Sequence, residues 1–161
     1  MIVVKQEQLD AMLAHAASTF PEECCGLLIG GFNEEKKIVR STKQIQNTYE
    51  PSERYHRYTI DPRAYMETEI EAQNRGEEVV GIYHSHPNAP AKPSPFDQNY
   101  AWPTLSYIVI EVRDKKPIKA ASWVLKDDRT DFTPEDLEIV SKERQEETAP
   151  SEQIVGGAQS E

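Results

Sequence analysis

Four residues in the middle of the chain have the types and the spacing to hold a metal ion and act beside it: His84, His86, Ser94 and Asp97. The two histidines end an apolar run, Val79-Val80-Gly81-Ile82-Tyr83, that reads as a buried strand. Successive side chains on a strand alternate faces, so His84 and His86 project from the same side. Two imidazoles on one face and a nearby carboxylate make three ligands. Three protein ligands with a fourth position open is the catalytic form of a zinc site. The competing explanation is that each histidine is simply packed or solvated at a strand end. Only four histidines occur, His15, His56, His84 and His86, and two of them share this one face beside Pro87 and a polar loop.

The rest of the chain bounds what such a site serves. At 161 residues it is one domain, long enough to bury about two-thirds of its unfolded surface without disulfides. The net charge of −10 argues against nucleic acid or an anionic membrane as the main partner, and solubility accounts for it. The two cysteines, Cys24 and Cys25, are adjacent, so on a strand they face opposite ways and do not bond each other. They form no C-x-x-C pair and read as small buried hydrophobes in a reducing, cytoplasmic setting. No run approaches the roughly eighteen apolar residues of a membrane span. The first residues, Met1-Ile2-Val3-Val4-Lys5-Gln6, do not read as a signal peptide.

The elements that must position the site follow from periodicity and punctuation. Leu9, Met12, Leu13 and Ala16 form one apolar stripe, predicting a helix over 6–18, which Pro21 closes. A loop carrying Glu22 and Glu23 leads into a buried strand over 24–29, and 37–46 pairs with it antiparallel. Residues 47–57 form a polar loop, closed by a short strand over 58–60. Asp61-Pro62 starts a helix running to about Arg75, with Gly76 as its left-handed stop. The strand over 78–86 carries the histidines, and a proline-rich loop follows it. Ser94 then caps a short helix through Ala101 that carries Asp97. Two more strands, over 105–112 and 118–125, are joined by a turn at Asp114-Lys115-Lys116-Pro117. Thr133-Pro134-Glu135-Asp136 predicts a last helix to about Glu146, and 147–161 reads as a disordered tail. The expected organisation is therefore a domain over 1–130, followed by a C-terminal helix and tail over 131–161. The fold class is α/β, one mixed but mostly antiparallel sheet flanked by helices.

His84-Ser85-His86-Pro87, six residues, Ser94, two residues and Asp97 match the pattern H-[S/T]-H-P-x6-S-x-x-D in full. Upstream, Pro21-Glu22-Glu23-Cys24-Cys25-Gly26 is similar to the segment P-x-E-x-C-G. On these residues the chain resembles the JAMM metalloproteases, the catalytically competent MPN domains, over roughly 3–125. The resemblance implies a single MPN domain of cytidine deaminase-like architecture. It also implies that His84, His86 and Asp97 bind Zn2+, with Glu23 as general base and Ser94 supporting the developing oxyanion. Glu22 competes for the base, but Glu23 holds the family position, one residue ahead of Cys-Gly. For Ser94 the alternative is a helix N-cap alone. Asn47 lies where relatives often carry an asparagine, and either a contact to substrate backbone or a turn role suits it.

Ubiquitin-cleaving eukaryotic members carry inserted segments, for which this chain has little room between Asp97 and Leu105. The compact form is similar to bacterial and archaeal members. Those act on small ubiquitin-like β-grasp sulfur carriers, cutting after a C-terminal Gly-Gly. The resemblance therefore implies a zinc metallopeptidase acting on a peptide or isopeptide bond at a carrier's C-terminus, with cysteine biosynthesis as the pathway. Two other readings stay open: a non-catalytic MPN scaffold, and a zinc hydrolase of a small molecule. Scaffolds have lost metal ligands, whereas His84, His86, Asp97 and Glu23 are all present. Cytidine deaminases use H-x-E with P-C-x-x-C, which is absent here.

Overall fold

The computed structural model describes residues 1–141, so the predicted tail over 147–161 lies outside the described residues. Strand β1 (Ile2–Lys5) runs directly into helix α1 (Gln6–Thr19), and strands β2 (Cys25–Asn33) and β3 (Lys36–Ile45) follow as an antiparallel pair. Helix α2 (Pro62–Asn74) opens on Asp61, whose carboxylate accepts the Arg63 N–H. It stops before Gly76, where φ is +72°. Strand β4 (Glu78–Pro87), helix α3 (Pro95–Tyr100), strand β5 (Ser106–Arg113) and strand β6 (Lys116–Leu125) complete the elements read from sequence.

The last predicted helix is not there. Residues 132–140 instead form strands β7 (Phe132–Glu135) and β8 (Leu137–Val140), and the predicted helix's end beyond 141 lies outside the described residues. The Thr-Pro-Glu-Asp start signal is local, while the open edges of β6 and β1 offer a full row of backbone partners. β7 pairs antiparallel with β6, and β8 pairs parallel with β1. Thr133 sends its hydroxyl to the Val124 carbonyl rather than capping a helix. Leu137 and Ile139, two apart, both pack onto the core around α1. The short strand expected over 58–60 is likewise absent; that segment is irregular, tied by Thr48 N–H to Thr59 O at 3.1 Å.

The strand order is β7-β6-β5-β4-β2-β3-β1-β8, with β4–β5, β1–β3 and β1–β8 parallel and the remaining pairs antiparallel. β7 and β8 stand at opposite ends of that order yet are separated only by Asp136, whose carbonyl accepts the Ile2 N–H at 2.9 Å. One continuous stretch of chain thus joins the two edges, and the sheet curls around α1. Met12 and Ala16 of the helix stripe are buried against Ile2, Val4, Leu28, Val80 and Ile108, with Leu9 and Leu13 beside them. On the sheet's other face, Ala72 of α2 joins Cys25, Leu27, Ile29 and Ile82. Cys24 and Cys25 fall into these two different clusters, as strand alternation requires, and both are free thiols. No helix among the described residues is long and apolar enough to cross a membrane.

Candidate metal centre

The site lies at the C-terminal end of β4, beside its parallel neighbour β5. His84 and His86 share one face, and Ser85 between them points the other way. There Ser85 Oγ accepts the Cys24 N–H at 2.7 Å, and its own N–H donates to the Cys24 carbonyl at 3.2 Å. This pairing fixes the chain just ahead of β2 against the His-Ser-His segment. It places Glu23, the residue before Cys24, at the metal face. Glu23 is 4 % exposed, whereas Glu22 is exposed to solvent.

The Ser94-x-x-Asp97 spacing has a local cause. Ser94 is the N-cap of α3 and Asp97 its third residue, and the two form a reciprocal capping box. Ser94 Oγ accepts the Asp97 N–H at 3.1 Å, and Asp97 Oδ2 accepts the Ser94 N–H at 2.8 Å. The same Oδ2 lies 3.2 Å from His84 Nε2 and 3.1 Å from His86 Nε2, and the two Nε2 atoms are 3.2 Å apart. The capping geometry therefore aims the carboxylate at both imidazoles.

These three atoms fit a divalent cation. Ligands at about 2.0–2.1 Å from a tetrahedral zinc ion stand about 3.3 Å from one another, close to the triangle found. Three lone-pair atoms this near need a proton or a cation among them. The orienting contact is also present at His86, whose Nδ1 donates to the Pro90 carbonyl at 2.8 Å, leaving Nε2 to face the site. Glu23 stands farther off, its ligand atom within 4.8 Å of those of His84 and His86. Its Oε1 is buried without a hydrogen-bond partner among the described residues. A buried carboxylate oxygen left without a partner is a position where an ion or a water is expected to complete the hydrogen bonding.

Burial sets the protonation states. His84, fully buried, is held below the usual imidazole value by desolvation, despite Asp97, and so stays neutral as a ligand must. Burial also opposes the charged form of His86, but the hydrogen bond and charge of Asp97, the charge of Glu23 and the Pro90 carbonyl together outweigh it and raise the value. For Asp97, burial pushes the carboxyl up, yet His84 and His86 hold it well below the carboxylate range. Burial drives Glu23 up to about 8; His86 and Arg57 oppose the rise and Asp97 adds to it. A bound divalent cation would reverse that balance and favour the carboxylate.

A loop the sequence left undefined completes the frame. Asn47 Nδ2 donates to the carbonyls of Glu23 and Arg57, each at 3.0 Å. Its Oδ1 accepts the N–H groups of Tyr49 and Thr59 at 3.1 and 3.2 Å. Every hydrogen-bonding position of the amide is used, so of the two roles open to Asn47 the structure brings out the turn. Glu23 N–H donates to Arg54 O at 2.7 Å, tying the same loop to the site. The loop also lays Tyr58 flat on His84, ring centroids 4.5 Å apart and planes 24° from parallel. An aromatic residue in a polar loop carries no sequence signal for that contact. Beside Asp97 a cavity of about 1040 Å³ opens, walled by Tyr58, Tyr65, Phe96, Tyr100, Trp102 and Tyr107.

Comparison with known proteins shows the family. The family model described as prokaryotic homologs of the JAB domain matches residues 5–126. Tail tip assembly protein K of Escherichia phage N15 is 29% identical over 133 residues, 76% of this chain; the chain spans only 50% of that relative's length. A desampylase from Haloferax volcanii is 30% identical over 105 residues, 62% of this chain and 73% of the relative. The CysO-cysteine peptidase of Mycobacterium tuberculosis is 28% identical over 118 residues, 71% of this chain and 75% of the relative. The solution structure of a Desulfitobacterium hafniense protein superposes with a TM-score of 0.76 at 30% identity, covering 88% of this chain and 94% of that one. A JAB1/MPN domain protein from Archaeoglobus fulgidus shares the fold at a TM-score of 0.56 and 18% identity, covering 87% and 99%. With its paired histidines, capping-box aspartate and remote buried glutamate on this sheet, the chain belongs to the JAB domain family, in its compact prokaryotic JAMM/MPN form.

Proposed function

We propose that this protein is a zinc-dependent peptidase that hydrolyses a peptide or isopeptide bond at the C-terminus of a small ubiquitin-like sulfur-carrier protein. The observation that carries the reading is the convergence of His84 Nε2, His86 Nε2 and Asp97 Oδ2 within 3.1–3.2 Å, with the buried Glu23 carboxylate within 4.8 Å of the two histidines' ligand atoms. The relatives named desampylase and CysO-cysteine peptidase support the substrate class. Retention of all four residues favours an enzyme over a scaffold.

In this reading His84, His86 and Asp97 hold the metal. A zinc ion held by these residues would supply Lewis acidity at the scissile carbonyl and would make the attacking water more acidic. Glu23 accepts a proton at its carboxylate and returns it to the departing amine. Its burial matters, because a partly desolvated carboxylate is a stronger base than an exposed one. Ser94 already accepts the Asp97 N–H, so its own O–H proton remains to be donated to the carbonyl oxygen as charge develops there. One hydroxyl thus serves both as cap and as oxyanion donor.

The test is to incubate the zinc-loaded protein with a carrier–cysteine and a carrier–lysine conjugate and to read the products by mass spectrometry. Release of the carrier by the wild type, lost on Glu23→Gln while zinc stays bound, is the expected result. If neither conjugate is cut, the peptidase reading fails.

A further inference from the structure

The two histidines are held in different ways. His86 has its outer nitrogen on the Pro90 carbonyl, which fixes both its tautomer and its ring orientation. His84 has no such contact: its ring is 0 % exposed and its Nδ1 has no hydrogen-bond partner among the described residues. An imidazole without an outer acceptor lacks the usual restraint against rotating about its own axis, yet its Nε2 sits 3.2 Å from both other atoms of the triangle. What lies against its face is Tyr58, stacked at 4.5 Å and 24°. His86 meets it only by an edge, at 4.9 Å and 60°.

We infer that Tyr58 is a positioning residue for the metal centre, its ring face doing for His84 what the Pro90 carbonyl does for His86. The inference rests on the metal reading above and adds to it a residue outside the H-x-H-P and S-x-x-D motifs. Tyr58 is itself held through the backbone of its neighbour, since Thr59 N–H donates to Asn47 Oδ1 and Thr59 O accepts from Thr48. The amide that ties down the Glu23 carbonyl therefore also sets the ring that steadies His84. Tyr58 is in addition a wall of the aromatic cavity beside Asp97, so the element restraining the ligand also borders the space next to it. The role belongs to the flat face of the ring, which makes phenylalanine a full substitute and an aliphatic side chain a poor one.

The experiment measures cobalt(II) and zinc affinity by competition with a chromophoric chelator, together with the visible absorption of the cobalt form. It compares wild type, Tyr58→Phe, Tyr58→Leu and Tyr58→Met, with the melting temperature of each metal-free protein as the control for folding. Tyr58→Phe is expected to bind within about 2-fold of wild type with an unchanged cobalt spectrum. Leucine and methionine are expected to weaken binding by roughly 10- to 100-fold, the usual effect of losing an outer contact to a ligand histidine. Their cobalt bands should also change while the metal-free proteins still melt cooperatively. Two aliphatic variants are included so that the failure of one to fold leaves the other as the readout. If both fail to fold while Tyr58→Phe folds and binds, the ring's role is structural and the inference is overturned. It is also overturned if either folded aliphatic variant matches wild type in affinity and spectrum, or if Tyr58→Phe falls with them, which would assign the role to the hydroxyl. A wild type that binds neither metal ends the metal reading and this inference together, whereas wild-type binding with an indifferent Tyr58 ends this inference alone.

Discussion

Replacing Gly26 by alanine measures how closely the site's supporting layer is packed. A Cβ built on Gly26 falls 2.1 Å from Cε1 of Tyr83, 2.3 Å from Cζ and 2.5 Å from the hydroxyl oxygen. Carbon atoms in contact stand at about 3.5 Å or more, so the ring must retreat by about 1.4 Å. It has nowhere to go: Tyr83 is 1 % exposed, and its hydroxyl lies 2.8 Å from His15 Nδ1. Overpacking of this kind costs about 1–3 kcal/mol, and the broken part-buried hydrogen bond about 0.5–1.5 kcal/mol. Together they come to about 1.5–4.5 kcal/mol, a large part of the roughly 5–15 kcal/mol available to a domain. The consequence reaches the metal, because Tyr83 precedes His84 on β4 and Gly26 pairs with Tyr83 across the ladder. Urea denaturation read by circular dichroism gives the cost, with Gly31→Ala on the same strand as the internal control. No atom lies within 4 Å of a Cβ at Gly31, so that change should stay within about 0.5 kcal/mol. In the Gly26→Ala background, Tyr83→Val should cost less than it does alone, since the clash leaves with the ring. A Gly26→Ala protein as stable as Gly31→Ala would refute the packing argument.

Other expectations follow from the same contacts. Among the metal-site groups His86 and Glu23 have raised pKa values, Glu23 up to about 8, while His84 is neutral and Asp97 ionised, so zinc binding should displace two protons at low pH. Affinity should then fall with a limiting slope of two, about 100-fold per pH unit, where both groups are protonated, and with a slope of one in Glu23→Gln; titration of both proteins at several pH values checks this, and equal slopes are the contrary result. In the metal-free protein the sign is opposite. A raised folded-state pKa stabilises only while the proton is held, so that contribution is complete below pH about 6.5 and lost as pH rises through the His86 value. Ser94→Ala should cost about 1 kcal/mol as a lost cap, whereas Ser94→Gly should restore stability to within a few tenths. Both should lower kcat by roughly 10²–10³ if the hydroxyl supports the oxyanion, and a fully active Ser94→Gly excludes that role. Asn47→Ala strands two carbonyls and two N–H groups in a half-buried loop and should destabilise by about 1–3 kcal/mol. It should also lower activity through Glu23, as read by urea unfolding alongside the conjugate assay.

Where a residue's partners lie within a turn or two of it, the sequence was legible. The α1 stripe, the Asp61 cap with its Gly76 stop, and Ser94 as the cap of the short helix carrying Asp97 all appear as read, because each is an interaction over a few residues. The H-x-H pair needed only the two-residue strand period. The failures share the opposite property. The Thr133 start signal lost to pairing with β6 and β1, the latter more than 130 residues away in sequence. β1 itself, four residues long, carries too little pattern to be read without the neighbours that flank it.

The sequence by itself therefore supplied the candidate donors: His84 and His86 on one strand face, and Asp97 on a short helix capped by Ser94. The choice of Glu23 over Glu22 rested on the family position until the fold gave its physical cause, and only the tertiary structure decided that Asn47 is spent on holding a loop and that Tyr58 lies flat on His84. The physical reason is range. Strand and helix periods orient neighbours along the chain. The direction of a loop carboxylate or a loop aromatic is set by packing against strands that arrive from elsewhere, here the curled sheet whose edges Asp136 brings together.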